Sequence, residues 1–276
     1  MQLAKKLLVS SFLLFAGFSA TLALQRGWQP RFFGMEDNPA PMPPDANEKT
    51  EFIYARLMYP SAGRRGFGGF RGRGGMMGRA WATDFPKSDR QFLQGVRRLT
   101  RIHVRSLEQV VDLDGDDIFN YPFVYAVEVG QWYLSDAQAA KLREYLLRGG
   151  FLMVDDFHGT YEWDVFMASM SRVFPDRPVV DIENQDAIFH VLYDLDERVQ
   201  VPGLAALYNG VTYEQDGIVP RWRAIYDDKG RIMVAICHNM DLGDAWEWAD
   251  DPSYPEKYAS LAYRIGINYI IYSMTH

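Results

Sequence analysis

A single cysteine, Cys237, among 276 residues excludes an internal disulfide framework and a cysteine-based zinc cluster. Positive charge is also scarce. The 29 Lys and Arg against 36 Asp and Glu leave a formal net charge of -7, which argues against nucleic acid as the main partner, because phosphate binding needs a positive surface. No internal repeat is visible. Apolar residues are plentiful: 48% hydrophobic and 14% aromatic supply a sizeable core and exclude wholesale disorder. The length leaves room for one large α/β domain or two small ones.

The amino terminus points to export. Lys5 and Lys6 precede an uncharged run from Leu7 to Leu24, the pattern of a secretory signal. Residues 1–24 therefore read as a signal peptide or, since the run is just long enough to span a bilayer, as a membrane anchor. No cysteine follows it, so a lipoprotein anchor is excluded. The expected location is periplasmic or at the membrane. Residues 25–50 carry Pro30, Pro39, Pro41, Pro43 and Pro44 among polar residues and read as a linker. The domain proper is expected over 51–276, with a Gly/Arg-rich loop at 62–79. Arg-Gly runs with Phe can bind single strands, but in an exported acidic chain a flexible loop is the simpler reading.

Strand-like and helix-like pieces then alternate. Glu51–Tyr59, Ile102–Val104, Tyr121–Val129 and Phe151–Val154 read as strands. Asp89–Thr100 places Phe92, Leu93, Val96 and Leu99 at helical spacing. The best-specified helix follows Ser135, where Gln138 completes a capping box, Ala139, Leu142 and Leu146 form the apolar stripe, and Gly149 supplies the stop. Trp163–Val173 is the next helix. Trp222–Tyr226 and Arg231–Cys237 flank Asp227-Asp228-Lys229-Gly230, a hairpin signature. Glu256–Met274 closes the chain as a helix with Leu261, Ile265, Tyr269 and Tyr272 inward. Such alternation predicts an α/β fold whose mostly parallel sheet is covered on both faces.

The segment Gly149–Gly159 carries the chemistry: a helix stop, a buried-strand run, then Asp155, Asp156 and His158 at the strand exit. Open α/β sheets bind ligands at that end. A carboxylate and an imidazole there suit acid/base work or a hard metal site completed by His190 or Asp241. The alternative is that one aspartate caps the next turn while the other bonds loop amides. Strand alternation directs Asp155 and Asp156 apart. A second stretch, His238–Trp248, sets His238, Asn239 and Asp241 beside Trp246, a mixture suited to a sugar or small ligand or to a loop anchored on aromatics. Trp81 and Asp84 are weaker candidates for the same rim. The run Asp112-x-Asp114-Gly-Asp116-Asp117 is not an EF-hand, because Phe123 stands where the twelfth-position glutamate belongs. It reads as a solvated acidic turn.

Taken in order, Phe52–Tyr59, Trp81-Ala-Thr-Asp-Phe-Pro, Tyr121-Pro-Phe, Gly149–Gly159, Cys237-His-Asn-Met-Asp and Gly266-Ile-Asn-Tyr resemble the domain-of-unknown-function family 4159 over about residues 50–276. The resemblance implies a three-layer sandwich with a flavodoxin-like, class I glutamine-amidotransferase-like sheet, often attached to bacterial membrane modules. An amidotransferase needs a cysteine on the strand-to-helix elbow. Here the elbow holds Asp155, Asp156 and His158, and Cys237 lies elsewhere beside His238, on opposite strand faces, so cysteine amidotransfer is not expected. The leading expectation is a ligand-binding or non-catalytic envelope module with Asp155, Asp156, His158, His238, Asn239, Asp241 and Trp246 as ligand contacts. No catalytic residue, metal ligand set or cofactor is assigned. A hydrolase of an envelope amide or glycosidic bond, using an Asp/His pair, is the second expectation; a structural partner of another membrane protein is the third.

Overall fold

The computed structural model describes residues 42–61 and 80–276. The signal or anchor at 1–24, most of the linker and the Gly/Arg-rich loop at 62–79 lie outside the described residues. Among the described residues no helix is long and apolar enough to cross a membrane.

Seven strands form one sheet in the order β2-β1-β3-β4-β7-β6-β5. They are β1 (Ala55–Met58), β2 (Gln109–Asp112), β3 (Phe123–Val127), β4 (Phe151–Asp155), β5 (Val180–Asp181), β6 (Arg221–Tyr226) and β7 (Ile232–His238). β2, β1, β3, β4 and β7 run parallel, and β6 and β5 complete one edge as antiparallel strands. The parallel part has the 2-1-3-4-5 order of a doubly wound sheet, in which ligands collect at the carboxyl ends of the strands. β3, β4 and β7 are buried along their whole length, as continuous apolar runs require.

Helices cover both faces. On one, α1 (Lys87–Leu99) packs against α5 (Leu242–Glu247) and α6 (Glu256–Thr275); on the other, α2 (Asp136–Leu147) packs against α3 (Gly159–Val173). A short α4 (Leu204–Tyr208) lies in the connection to β6. The α1/α5/α6 face holds the aromatic core. Phe123 and Phe151, partners in register, stack at 5.7 Å, and Tyr269 of α6 meets Phe151 edge-on at 6.1 Å. Gly266 lets α6 press this close: a β-carbon there would lie 2.6 Å from the Phe92 ring.

Local signals account for the clearest elements. The capping box forms with Gln138 N donating to Ser135 Oγ at 3.2 Å and Ser135 N to Gln138 Oε1 at 3.0 Å. Gly149 takes φ +109 and closes α2, with Gly150 N donating to Tyr145 O. The β6–β7 hairpin turns where expected.

Several expectations are corrected. The strand expected at Ile102–Val104 is only an isolated bridge of Val104 to Phe52, and the second strand is Gln109–Asp112. The first strand is shorter than Glu51–Tyr59: regular pairing with β2 starts only at Ala55 and Gln109, and Phe52 ahead of it makes just the isolated bridge to Val104. The helix expected from Trp163 begins at Gly159, capped from a distant loop by Asp216, which accepts from Thr160 N at 2.9 Å. The linker is not featureless up to residue 50: Asp45 Oδ2 accepts from Ser106 N and from Arg97, tying that end to the domain. In the acidic turn, Asp112 Oδ1 accepts from Asp114 N and Gly115 N, while Lys141 Nζ lies 2.8 Å from both Gly115 O and Asp116 Oδ1. An ammonium thus supplies the positive charge of that loop.

One ion pair is wholly buried. Arg56 of β1 and Asp89 of α1, both 0% exposed, meet at 2.7 Å, and the guanidinium also donates to the carbonyls of Trp81 and Thr83. Removing one partner strands the other in a low-dielectric core. Arg56→Met is therefore expected to cost about 3–5 kcal/mol of unfolding free energy by denaturant titration; a loss below about 1 kcal/mol would show that the pair does not anchor β1 to α1.

Candidate functional site

Three neighbouring strands end in the same unusual way. The residues after β3, β4 and β7 are Glu128, Asp156 and Asn239, with φ +54, +53 and +65. Left-handed backbone is uncommon for non-glycine residues and costs about 1–3 kcal/mol, so it persists only where surrounding bonds enforce it. Here they do. Asp156 N donates to Met240 O, Asn239 N returns the bond to Phe157 O, and Glu128 N donates to Asp155 O. The Asn239 side chain accepts from Gly159 N and donates to Val219 O.

These exits turn carboxylates into a common space. Asp84 from the turn before α1, Asp156 after β4 and Asp241 after β7 each offer an oxygen within 4.8 Å of the other two. Asp84, Asp244 and Glu247 form a second such set. Asp156 and Asp241 are 6% and 4% exposed, and Asp84, Asp244 and Glu247 are half-buried. Asp84 also has φ +59 and is held by the bonds of Arg56 to the Trp81 and Thr83 carbonyls. Asp241 caps α5 by accepting from Asp244 N at 2.7 Å, and Asp244 accepts from Leu204 N and Trp248 Nε1. Glu214 reaches the same rim, since a β-carbon on Gly203 would lie 2.7 Å from Asp241 Oδ2 and 2.8 Å from Glu214 Oε1.

Crowding and burial govern the charge. Burial first, then Asp244 and Glu247, hold the Asp84 carboxyl well above the usual range. Burial with Glu128 and Asp84 does the same to Asp156, and burial with Asp156 and Asp244 to Asp241. Arg56 offsets part of this at Asp84 only from a distance. Among the described residues no Lys or Arg forms an ion pair with Asp84, Asp156, Asp241 or Asp244.

The expected site residues divide. Asp156, Asp241 and His158 come together, with His158 Nε2 at 3.2 Å from Asp156 Oδ1. Burial and nearby His238 push the His158 imidazole down to about 4, so it is neutral at pH 7. Asp155 lies beside the cluster but is taken up by hydrogen bonds. Its Oδ2 accepts from Leu242 N, Gly243 N and Tyr125 Oη, capping α5 from the end of β4, and burial lifts its carboxyl to about 7. His238 donates from Nε2 to Gly159 O at 3.1 Å, stacks on Phe157 at 4.8 Å and lies tilted against Trp163 at 4.9 Å. Asn239 braces the β4 exit from behind. Trp246 is core rather than rim: it is 0% exposed and stacks on Phe92 at 4.2 Å. His190 does not complete the group, because Asp194 and the Asn184 carbonyl hold it. Cys237 is buried with its thiol 3.9 Å from Tyr269 Oη, and burial pushes that thiol well up, which disfavours the thiolate a nucleophile needs.

Asp244, Glu247 and Glu214 were not singled out from the sequence, and Asp84 only weakly. The available signal was the acidic spacing Asp241-x-x-Asp244-x-x-Glu247, which sets three carboxylates on successive turns once α5 is recognised as a helix.

Buried carboxyls give stability a predictable pH dependence. Asp155 and Glu108 have folded values of about 7, above their unfolded values near ~4. Their contribution is therefore full below ~4 and lost as pH rises through about 7. In chelator, the melting temperature should fall between about pH 5 and 8, and Asp156→Asn should melt above the parent at pH 8; a parent melt that rises over that range would overturn the account.

No curated protein matches the chain in sequence. The profile of the domain of unknown function DUF4159 matches residues 72–274, and the chain belongs to that family.

Proposed function

We propose that this is an exported, amidotransferase-like α/β module of the cell envelope that binds a hard divalent cation at the carboxyl rim of its sheet. The observation that carries the reading is the convergence of Asp84, Asp156 and Asp241, from three separate loops, to within 4.8 Å. Three ionised carboxylates in a desolvated space repel strongly, and a divalent cation removes the repulsion at once. An all-oxygen set favours Mg²⁺, Mn²⁺ or Ca²⁺ over zinc or copper, which prefer nitrogen and sulfur.

The surroundings fit a ligand shell. His158 on Asp156 and the α5 amide on Asp241 orient two of the three carboxylates from behind, as outer-shell partners do. The parallel order 2-1-3-4-5 supports the amidotransferase-like architecture, and the buried Cys237 supports a role other than amidotransfer. The lysine-led apolar run at residues 5–24 supports export. A membrane or envelope protein partner, or a saccharide held through the cation, fits that location.

Cation binding to the folded state raises stability by mass action. At about 100 times the dissociation constant the gain is ~2.7 kcal/mol, or roughly 5–10 °C for a chain of this size. Thermal melts of the full-length chain with Mg²⁺, Mn²⁺ and Ca²⁺ measure it. Asp156→Asn and Asp241→Asn should abolish the shift, and His158→Ala should weaken affinity about 10–100-fold. A chain whose melting is indifferent to all three ions at millimolar concentration does not bind them here.

A further inference from the structure

We propose that a groove at the carboxyl end of α1 docks the domain on an anionic phospholipid surface. The groove has a volume of about 590 Å³, and Leu99, Leu192 and Ile271 line it together with Arg98, Arg101 and Glu51. None of these residues belongs to the carboxyl rim, so docking is independent of the cation reading.

The apolar part comes from the way α1 ends. Phe92, Leu93 and Val96 are buried, and Leu99 continues their spacing, but the helix stops there and Thr100 turns into extended backbone. Leu99 is thus left 51% exposed, and Leu192, which shares the groove, is 49% exposed. Met274, three residues beyond Ile271 on α6, is exposed as well. Large apolar side chains gathered at one surface mark an interaction site.

Charge identifies the partner. Between Gln91 and Leu107 this acidic chain has no Asp or Glu, yet it carries Arg97, Arg98, Arg101, His103 and Arg105. Three of the five are engaged: Arg97 with Asp45, His103 with Glu48, and Arg105 with the carbonyls of Leu107 and Glu108. Arg98 and Arg101 are exposed, and among the described residues neither forms an ion pair. Guanidinium groups beside apolar side chains match a bilayer interface, where phosphates lie just outside the acyl chains. The rim carboxylates oppose this little. α1 starts three residues after Asp84 and runs for 13 residues, about 20 Å, before it reaches the groove, roughly two Debye lengths at physiological salt.

The described chain also begins on this side of the domain, since Asp45 accepts from Arg97 and from Ser106 N. Leu24, the last residue of the lysine-led apolar run, stands 21 positions before Asp45, a reach of at most ~75 Å. An anchor at residues 1–24 would keep the groove close to a bilayer, so that even weak docking is populated. Docking there directs the carboxyl rim away from the lipid.

Hydrogen exchange of the full-length chain on vesicles, in chelator throughout, tests the docking. Vesicles of phosphatidylcholine alone are compared with vesicles that also contain phosphatidylglycerol, so that insertion of the apolar run is common to both. The expected result is slower exchange over residues 98–102 on the anionic vesicles only, lost at molar salt. Arg98→Gln combined with Arg101→Gln should lower the docked-to-free ratio about 25-fold, at about fivefold per arginine, with the melting temperature confirming that the variant is folded. Exchange over 98–102 that is unchanged by anionic vesicles would overturn the proposal, as would full protection in the double variant. Protection that appears without vesicles and grows with protein concentration would make the groove a contact between copies and overturn the lipid reading.

Discussion

The guanidinium of Arg56 is the constraint on which the rest of the molecule depends. It sits on β1, next to the β2 edge of the sheet, with no exposure, and everything it touches is thereby fixed. Asp89 ties it to α1, and the carbonyls of Trp81 and Thr83 tie it to the turn that presents Asp84. Its charged carbon lies 5.1 Å from the centre of the Tyr125 ring on β3, a cation–π contact in a dry environment. Tyr125 in turn donates to Asp155, and Asp155 accepts from the first amides of α5. A single positive charge thus organises one path from β1 to Asp84 and another, through Tyr125 and Asp155, to the helix α5 that Asp241 caps.

That path explains how so many carboxylates can be held together. Repulsion among Asp84, Asp156 and Asp241 would open any loop free to move. Here the loops after β4 and β7 are stitched to each other by reciprocal backbone bonds, and each begins on a left-handed residue. The strain and the repulsion are carried by strands buried along their full length and by the aromatic core beneath them. Part of the stability of the core is spent on holding crowded carboxylates together at the rim, a common feature of functional sites.

How much was legible in the sequence follows from how far each signal reaches. The capping box at Ser135, the stop at Gly149 and the hairpin around Asp227–Gly230 depend on neighbours a few residues away, and they formed as expected. The start of α3 was misplaced because its cap, Asp216, lies 56 residues from Thr160. β2 was hidden because Gln109-Val-Val-Asp is short and runs directly into an acidic turn. The six residues of α5 carry too little periodicity to mark a helix, and its N-terminus is fixed by Asp155, 87 residues from Leu242. For the same reason Asp156 and Asp241 stand out as rim residues, whereas Asp84, far from both in the chain, is only a weak candidate for the rim where it meets them. Asp155 and Asp156 are both buried, and the left-handed backbone at Asp156 ends the strand alternation on which the expectation that they face apart rests.

The amides at the β4 exit bear on what chemistry the rim can support. An acyl-transfer elbow leaves backbone N–H groups free at the start of its helix, so that they can meet an oxyanion. In this chain three successive amides are already occupied: His158 N donates to Glu162, Gly159 N to Asn239 and Thr160 N to Asp216. Two of those acceptors are carboxylates. The positive end of the α3 dipole is therefore saturated by the protein's own anions, and the field that remains at the rim is negative. The strand, turn and helix are arranged here with electrostatics opposite to those of an acyl-transfer elbow. A site of that polarity repels a developing oxyanion, and this favours the proposed cation reading over acyl transfer.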